Sequence, residues 1–267
     1  MSPRSKFIGR KAAKKETMRT QGGSVSVHLE GSQNLSAVIL DYGQVLARCP
    51  TPEEFGRLAE MFNVSFELFF ELWEASRGSY DRGDLTAEEY WLKLAAQTNS
   101  SIDSKQIEIL REVEVEIWAH PNPGMFEWVS QMRAAGIKIG LLSNMPWDLV
   151  THVRKNCSWL DNFTFTTLSA EVKLIKPAPA IYEHTLHGLG VSAAETLFVD
   201  DREPNISTAL TLGMHAIQFQ SVAQLKGDLE ALGFPVLPEA AGSQTSDSSA
   251  ASVADQPDRA RKFSPLL

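Results

Sequence analysis

The chain has 267 residues, 43% of them hydrophobic, and a formal net charge of −8. This composition can build a buried core, and the acidic balance argues against a general nucleic-acid-binding surface. No apolar run approaches the roughly 18 residues that a membrane-spanning helix needs, so we expect neither nucleic acid nor membrane as a partner. Two widely separated cysteines and no secretory signal favour a reducing compartment, and we expect a cytoplasmic protein.

Both ends of the chain are predicted to be disordered tails. Residues 1–34 form a basic tail that mixes glycine, serine and glutamine without periodicity, and an organellar address is the alternative interpretation. Residues 237–267 are rich in serine, alanine and aspartate and poor in large apolar residues. Neither segment is expected to contribute to the folded core.

The first predicted core element is a short strand, AVIL, which leads into Asp41. A run of branched apolar residues bounded by polar residues is typical of a strand that is buried on both faces. Four predicted helices follow without an intervening strand. We predict that residues 51–120 form a helical insert, with Ser65 as the N-cap of its second helix and a capping box from Thr86 to Glu89 at its third.

From residue 121 onward, predicted helices and strands alternate. We expect strands near 137–143, 163–168, 196–201 and 214–219, and helices near 123–135, 147–155, 178–189, 204–213 and 221–232. Such alternation requires a parallel sheet with right-handed crossovers. We therefore predict an α/β fold, a doubly wound, Rossmann-like parallel sheet built from residues 35–50 and 121–236, with the helical insert placed as a lid.

Polar side chains follow the ends of three predicted strands. Asp41 follows the first strand, Ser143 ends the second, and Asp200 and Asp201 end a later one, while Lys176 lies in a loop before a helix. Because ligands bind at the carboxyl edge of an open α/β sheet, we expect these side chains to meet there. Carboxylate oxygens suit Mg²⁺, lysine neutralises phosphate, and a carboxylate nucleophile can form an acyl phosphate.

Four short motifs give the chain a resemblance to the haloacid dehalogenase superfamily: DYGQVL (41–46), LLSN (141–144), KP (176–177) and FVDD…N (198–205). The position of the helical insert is similar to that in the helical-cap subgroup, which includes sugar-phosphate phosphatases and the phosphatase domain of soluble epoxide hydrolase. The resemblance covers about residues 36–232. It implies a Mg²⁺-dependent phosphatase that acts on a small phosphorylated metabolite, such as a sugar phosphate.

The resemblance also implies a role for each acidic position. Asp41 would be the nucleophile that carries an aspartyl-phosphate, and it would bind Mg²⁺ together with the Gly43 carbonyl. Asp201 is the preferred further ligand. Asp200 is the alternative ligand and would otherwise orient Lys176 or the loop backbone.

The phosphate-binding residues follow from the second and third motifs. Ser143 and the backbone N–H of Asn144 would bind phosphate, and Lys176 would steady the phosphate and the carboxylates. Lys173 stands where relatives carry glycine, which leaves open which lysine enters the site. We favour Lys176 because Pro177 follows it. Asn205 is expected to bond backbone groups of the loop after Asp201.

One departure from the common pattern concerns proton transfer. The usual second aspartate, which protonates the leaving group, is replaced here by Gly43. General acid catalysis typically contributes about 10²–10⁴-fold. We therefore hypothesise that the substrate has an easy leaving group, as in an anomeric sugar phosphate or an acyl or aryl phosphate.

Two other functions remain open from the sequence. A metal-free dehalogenase would use Asp41 on a carbon–halogen bond, and a non-catalytic module would bind a phosphate ligand without turnover. In the helical insert, the segment containing Tyr80, Asp81, Tyr90 and Trp91 is a candidate substrate contact, as is Trp147 at the entrance. The sequence identifies neither the substrate nor the oligomeric state.

Overall fold

The core of the protein is a five-stranded parallel sheet. The computed structural model describes residues 16–19, 25–28 and 35–231. The strands in chain order are β1 (Glu16–Arg19), β2 (Val25–His28), β3 (Ala37–Leu40), β4 (Lys138–Ser143), β5 (Phe165–Leu168), β6 (Thr196–Asp200) and β7 (His215–Gln218). The five core strands lie in the order β5-β4-β3-β6-β7, and β1 and β2 form a separate antiparallel pair.

Helices occupy the segments between the strands. In chain order they are α1 (Pro52–Glu60), α2 (Phe66–Asp81), α3 (Ala87–Gln97), α4 (Ser104–Trp118), α5 (Pro123–Ala134), α6 (Trp147–Asn156), α7 (Ser169–Val172), α8 (Pro179–Leu189), α9 (Glu203–Thr211) and α10 (Val222–Ala231). The predicted helices are all present in the described part of the chain, with ends that differ by a few residues. The sequence prediction missed the four-residue helix α7.

The strand order explains where a site can form. The chain runs from β3 outward to β4 and β5, then returns to the other side of β3 for β6 and β7. This reversal leaves a crevice at the carboxyl ends of β3 and β6, which is where open α/β sheets bind ligands. Strand β3 is central and its four residues are fully buried, so the backbone that leads into Asp41 is firmly held.

The helical insert folds around its own apolar cluster, separate from the clusters on the two faces of the sheet. Its helices begin at clear capping signals. The Ser65 side chain accepts the backbone N–H of Leu68, and Thr86 and Glu89 form the predicted capping box. Pro123 occupies the first turn of α5, as its fixed φ favours.

Polar contacts join the helical insert to the core. Arg111 on α4 forms a bidentate ion pair with Asp148 on α6, with N–O distances of 2.7 and 2.8 Å. The Ser169 hydroxyl donates to the backbone carbonyl of Asp81, and the Lys173 ammonium donates to that of Gly83. These bonds hold the end of α2 and the loop after it against the carboxyl edge of the sheet.

Two short pieces of the amino-terminal segment are among the described residues. They are β1 and β2, which pair antiparallel with Glu16 opposite His28 and Arg19 opposite Val25. The rest of that segment and the predicted tail at 237–267 lie outside the described residues. Among residues that the structure describes, no helix has the length and apolar character needed to cross a bilayer.

Candidate active site

Asp41 lies at the centre of the carboxyl edge, directly after β3. Its backbone N–H donates to the carbonyl of Val199 on β6 (3.0 Å), which fixes the residue between the two strands. Its carboxylate Oδ1 accepts the backbone N–H of Tyr42 (2.7 Å) and lies 2.8 Å from the Lys176 ammonium. With 7% of its surface exposed, Asp41 is a buried carboxylate with an adjacent cation.

Lys176 reaches the same point from the loop between α7 and α8. Its Nζ lies 2.8 Å from Asp41 Oδ1 and 2.6 Å from Asp200 Oδ2, and the residue is 4% exposed. The Asn144 side chain fastens the lysine backbone, because its amide nitrogen donates to the Lys176 carbonyl (3.0 Å) and its oxygen accepts the Lys176 N–H (2.9 Å). Lys173 instead faces the helical insert at Gly83.

The adjacent aspartates have different surroundings. Asp200 is fully buried and accepts bonds from the Arg202 backbone N–H, the Asn205 amide and the Lys176 ammonium. Among the described residues, no side-chain donor bonds the carboxylate of the partly exposed Asp201, although Gln218 holds its backbone carbonyl (2.9 Å). Asp200 therefore uses its oxygens to accept hydrogen bonds, one of them from Lys176, whereas Asp201 is the more exposed of the two carboxylates.

The contact made by Asn205 corrects one expectation from the sequence. Its amide nitrogen bonds both carboxylate oxygens of Asp200, at 2.9 and 3.0 Å, rather than the loop backbone after Asp201. The physical reason is that Asp200 points inward from the end of β6, toward the first turn of α9. A buried carboxylate there needs a donor, and Asn205 is buried beside it.

The three aspartates form a group that can hold a cation. Asp41, Asp200 and Asp201 each offer a carboxylate oxygen, and these oxygens lie within 4.8 Å of one another. Three carboxylates against the single ammonium of Lys176 leave two excess negative charges when all are ionised. A divalent cation with oxygen ligands, such as Mg²⁺, fits both the charge and the donor set. The Gly43 backbone lies in the single turn that follows Asp41, and its carbonyl stays a predicted ligand.

The ionisation of this group reflects its burial. Burial raises the pKa of Asp41 to about 7; Asp200 and Asp201 add to the rise, and Lys176 opposes it. Burial and the Asp200 charge raise the pKa of Asp201 to about 6. Burial alone would lower the pKa of Lys176, but Asp200 and Asp41 outweigh it and the pKa is raised. Lys176 is thus cationic, while the two carboxyls hold their protons more tightly than usual.

These pKa values predict how stability responds to pH and to metal. Asp41 and Asp201 have folded-state pKa values above their ordinary 3.8, so the metal-free fold binds extra protons and loses stability as pH rises through about 6 to 7. A divalent cation competes with those protons. We expect Mg²⁺ to raise the unfolding temperature more at about pH 8 than at about pH 5.5, as thermal unfolding would show. An equal shift at both pH values would contradict this assignment.

The phosphate-binding candidates lie on the neighbouring strand. Ser143 ends β4 and is buried, and Asn144 follows it at the edge beside Asp41. Strand pairing places Leu40, the last residue of β3, opposite Leu141, so β4 continues for two residues beyond it, to Ser143. The hydrogen bonds from the Asn144 side chain to the Lys176 backbone could not be predicted from the sequence, because no local pattern encodes a bond across 32 residues.

The candidate substrate contacts of the helical insert divide into two kinds. Tyr80, Tyr90 and Trp91 are buried within the insert's own apolar cluster, where Tyr80 and Tyr90 stack with ring centroids 4.1 Å apart. Asp81 is also buried and pairs with Arg77 at 2.7 Å. Trp147, by contrast, is 45% exposed at the start of α6 and stays a candidate for the entrance.

Comparison with known proteins identifies the family. Residues 33–213 match the family model described as haloacid dehalogenase-like hydrolase. The chain belongs to the haloacid dehalogenase-like hydrolases. The structure brings Asp41, Lys176, Asp200 and Asp201 together at the carboxyl edge, and their individual roles stay predictions.

Two curated relatives match different lengths of the chain. The chain is 26% identical over 233 residues to mouse acyl-CoA dehydrogenase family member 10, covering 82% of this chain and 21% of the relative. It is 30% identical over 114 residues to flavin mononucleotide hydrolase 1 of Arabidopsis thaliana, covering 42% and 46%. The chain thus spans about a fifth to about half the length of these curated relatives.

A haloacid dehalogenase-like structure also matches the fold. A HAD-family enzyme from Bacteroides thetaiotaomicron, crystallised with magnesium and inorganic phosphate, superposes with a TM-score of 0.56 at 23% identity. The match covers 72% of this chain and 98% of that one. At this identity the comparison establishes the shared fold.

Proposed function

We propose that the protein is a Mg²⁺-dependent phosphatase that hydrolyses a small phosphorylated metabolite through an aspartyl-phosphate on Asp41. The observation that carries the proposal is the convergence of Asp41, Asp200 and Asp201 within 4.8 Å, with Lys176 bonded to two of them. A relative named as a flavin mononucleotide hydrolase and a structural neighbour crystallised with magnesium and phosphate give it further support.

The chemistry follows from the positions of the side chains. The Asp41 carboxylate attacks phosphorus, the bond from phosphorus to the leaving-group oxygen breaks, and the leaving group departs with the bonding electrons. Water then attacks the phosphorus of the aspartyl-phosphate, which releases phosphate and regenerates Asp41. Lys176 neutralises charge on the phosphoryl oxygens, and Ser143 and the Asn144 N–H bind them.

Asp41 and Asp201, with the Gly43 carbonyl, are the residues that we assign to Mg²⁺. The cation would supply electrostatic stabilisation of the transferring phosphoryl group. Asp200 is assigned to positioning, because its oxygens already accept bonds from Lys176, Asn205 and the Arg202 backbone. This assignment of the two aspartates favours a phosphatase over a metal-free dehalogenase, because a dehalogenase has no metal for the Asp201 carboxylate to bind.

A substrate screen tests the proposal. Phosphate release from a panel of sugar, acyl, aryl and alkyl phosphates is measured with Mg²⁺ and with EDTA, alongside Asp41→Asn. The proposal predicts Mg²⁺-dependent release that the variant lacks. Halide release that persists in EDTA would favour the dehalogenase, and phosphate binding without turnover on any substrate would favour the non-catalytic module.

Gly43 makes a separate prediction about the leaving group. The residue has φ −62° and ψ 131°, which any residue adopts, so an aspartate fits the backbone there. We expect the natural protein to prefer phosphates whose leaving groups need no proton, because no acidic side chain stands at position 43. Gly43→Asp should accelerate alkyl phosphates by about 10²-fold and acyl phosphates little, as initial rates would show.

A different pair of results would contradict the easy-leaving-group hypothesis. If the turnover of the natural protein is independent of leaving-group pKa, and Gly43→Asp changes all substrates alike, then proton donation comes from elsewhere and the easy-leaving-group hypothesis is wrong. Gly43→Ala is the matched control, since it adds the Cβ without the carboxyl.

A further inference from the structure

Trp118 is the last residue of α4 and stands where the helical insert meets the core. Its carbonyl accepts the Tyr42 hydroxyl at 2.7 Å, and its ring packs edge-on against Phe55 at 6.2 Å between centroids. The partly buried indole touches both the apolar cluster of the insert and that of the core. Trp118 is therefore held in place from both sides of the boundary.

The six-membered ring of Trp118 lies against the turn beyond the nucleophile. A Cβ placed on Gly43 would lie 3.4 Å from Cζ3, 3.8 Å from Cη2 and 4.0 Å from Cε3 of this ring. Gly43 is only two residues from Asp41 and is partly exposed. An apolar aromatic edge thus borders the turn at Gly43, two residues beyond the nucleophile.

The other sides of Asp41 are occupied by polar groups. Ser143 and Asn144 lie at the end of β4, Asp200 and Asp201 at the end of β6, and Lys176 contacts the carboxylate directly. These groups suit a phosphoryl group. The part of a substrate that is not phosphate has to extend away from them, toward the turn at Gly43 and the helical insert.

We propose that the ring of Trp118 contacts the leaving group and selects for a planar aromatic group attached to phosphate. This inference rests on the proposed function and adds a substrate class to it. An aromatic ring offers such groups a large apolar contact, and aromatic pairs gain affinity beyond area burial. Trp118 therefore determines specificity by binding.

Phosphonates test this contact without requiring turnover. Binding of phenylphosphonate and of methylphosphonate is measured by titration calorimetry with Mg²⁺, in the natural protein and in Trp118→Phe and Trp118→Leu. We expect the natural protein to bind phenylphosphonate about tenfold more tightly than methylphosphonate. Trp118→Phe should keep part of this preference, and Trp118→Leu should lose it. Methylphosphonate affinity and the unfolding temperature report that each variant is folded.

Trp159→Leu is the matched control, because Trp159 is another partly buried tryptophan, its ring stacks on Tyr42 at 5.7 Å between centroids, and it is not assigned any contact with substrate. The phenyl preference should survive in this variant. The inference is overturned if the natural protein shows no preference, if the preference survives in Trp118→Leu, or if Trp159→Leu removes it equally. Absence of turnover in the screen above would refute the phosphatase and leave this binding result standing.

Discussion

Asp41→Asn is expected to abolish turnover while the protein stays folded. The substitution keeps the shape of the side chain and removes its nucleophilic oxygen, so phosphate release should fall by at least about 10⁴-fold. Oδ1 of Asp41 accepts the Tyr42 N–H and the Lys176 ammonium, and the amide oxygen of asparagine can accept the same donors. Phosphate release and thermal unfolding, measured on the same preparation, check both parts.

The same variant also has an expected effect on stability. The raised pKa of Asp41, about 7, shows that its charge is costly in the metal-free fold. Asparagine removes that charge, so the unfolding temperature without Mg²⁺ should fall less with rising pH than in the natural protein. Asp161→Asn, at an exposed aspartate, is the matched control and should change neither property. Substantial activity in Asp41→Asn would refute the nucleophile assignment.

Asp200→Asn and Asp201→Asn are expected to change different properties: the first lowers stability, and the second weakens Mg²⁺ activation. Asp201→Asn should weaken Mg²⁺ activation by about 100-fold or more and leave thermal stability unchanged or higher, because it removes a ligand from a cluster with excess negative charge. Asp200→Asn breaks the buried ion pair with Lys176 and places two amides face to face at Asn205. We expect it to cost about 3 kcal/mol of unfolding free energy.

Mg²⁺ titrations of activity and chemical denaturation separate these two roles. If Asp200→Asn proved as stable as the natural protein and lost Mg²⁺ activation, the assignments of the two aspartates would have to be exchanged. Equal loss of stability in both variants would show that the pair acts as one structural unit.

Much of the fold can be predicted from the sequence because the apolar runs, the helix caps and the order of the elements indicate the same arrangement. The apolar runs that become β3, β4 and β6 are buried on both faces, and the caps at Ser65 and Thr86 begin helices as predicted. Strand-helix alternation then leaves a parallel sheet as the consistent arrangement. Helix α7 escaped prediction because four residues are too few to show helical periodicity.

Only part of the candidate site can be predicted from the sequence. Asp41, Ser143 and Asp200 could be placed at one edge because each stands at or directly after a strand end. The contacts of Asn144, Asn205 and Trp118 could not be predicted, because they depend on how loops and helices far apart in sequence meet. The division of roles between Asp200 and Asp201 likewise depends on which carboxylate points inward, which the sequence of adjacent aspartates does not specify.

The most direct test is to trap the covalent intermediate. The protein is mixed with a turned-over substrate and Mg²⁺, quenched in acid and reduced with borohydride, which converts an aspartyl-phosphate to homoserine; the peptide containing residue 41 is then analysed by mass spectrometry. We predict homoserine at position 41, dependent on substrate and Mg²⁺. Turnover with an unmodified Asp41, or with the modification at another residue, would contradict the proposed mechanism.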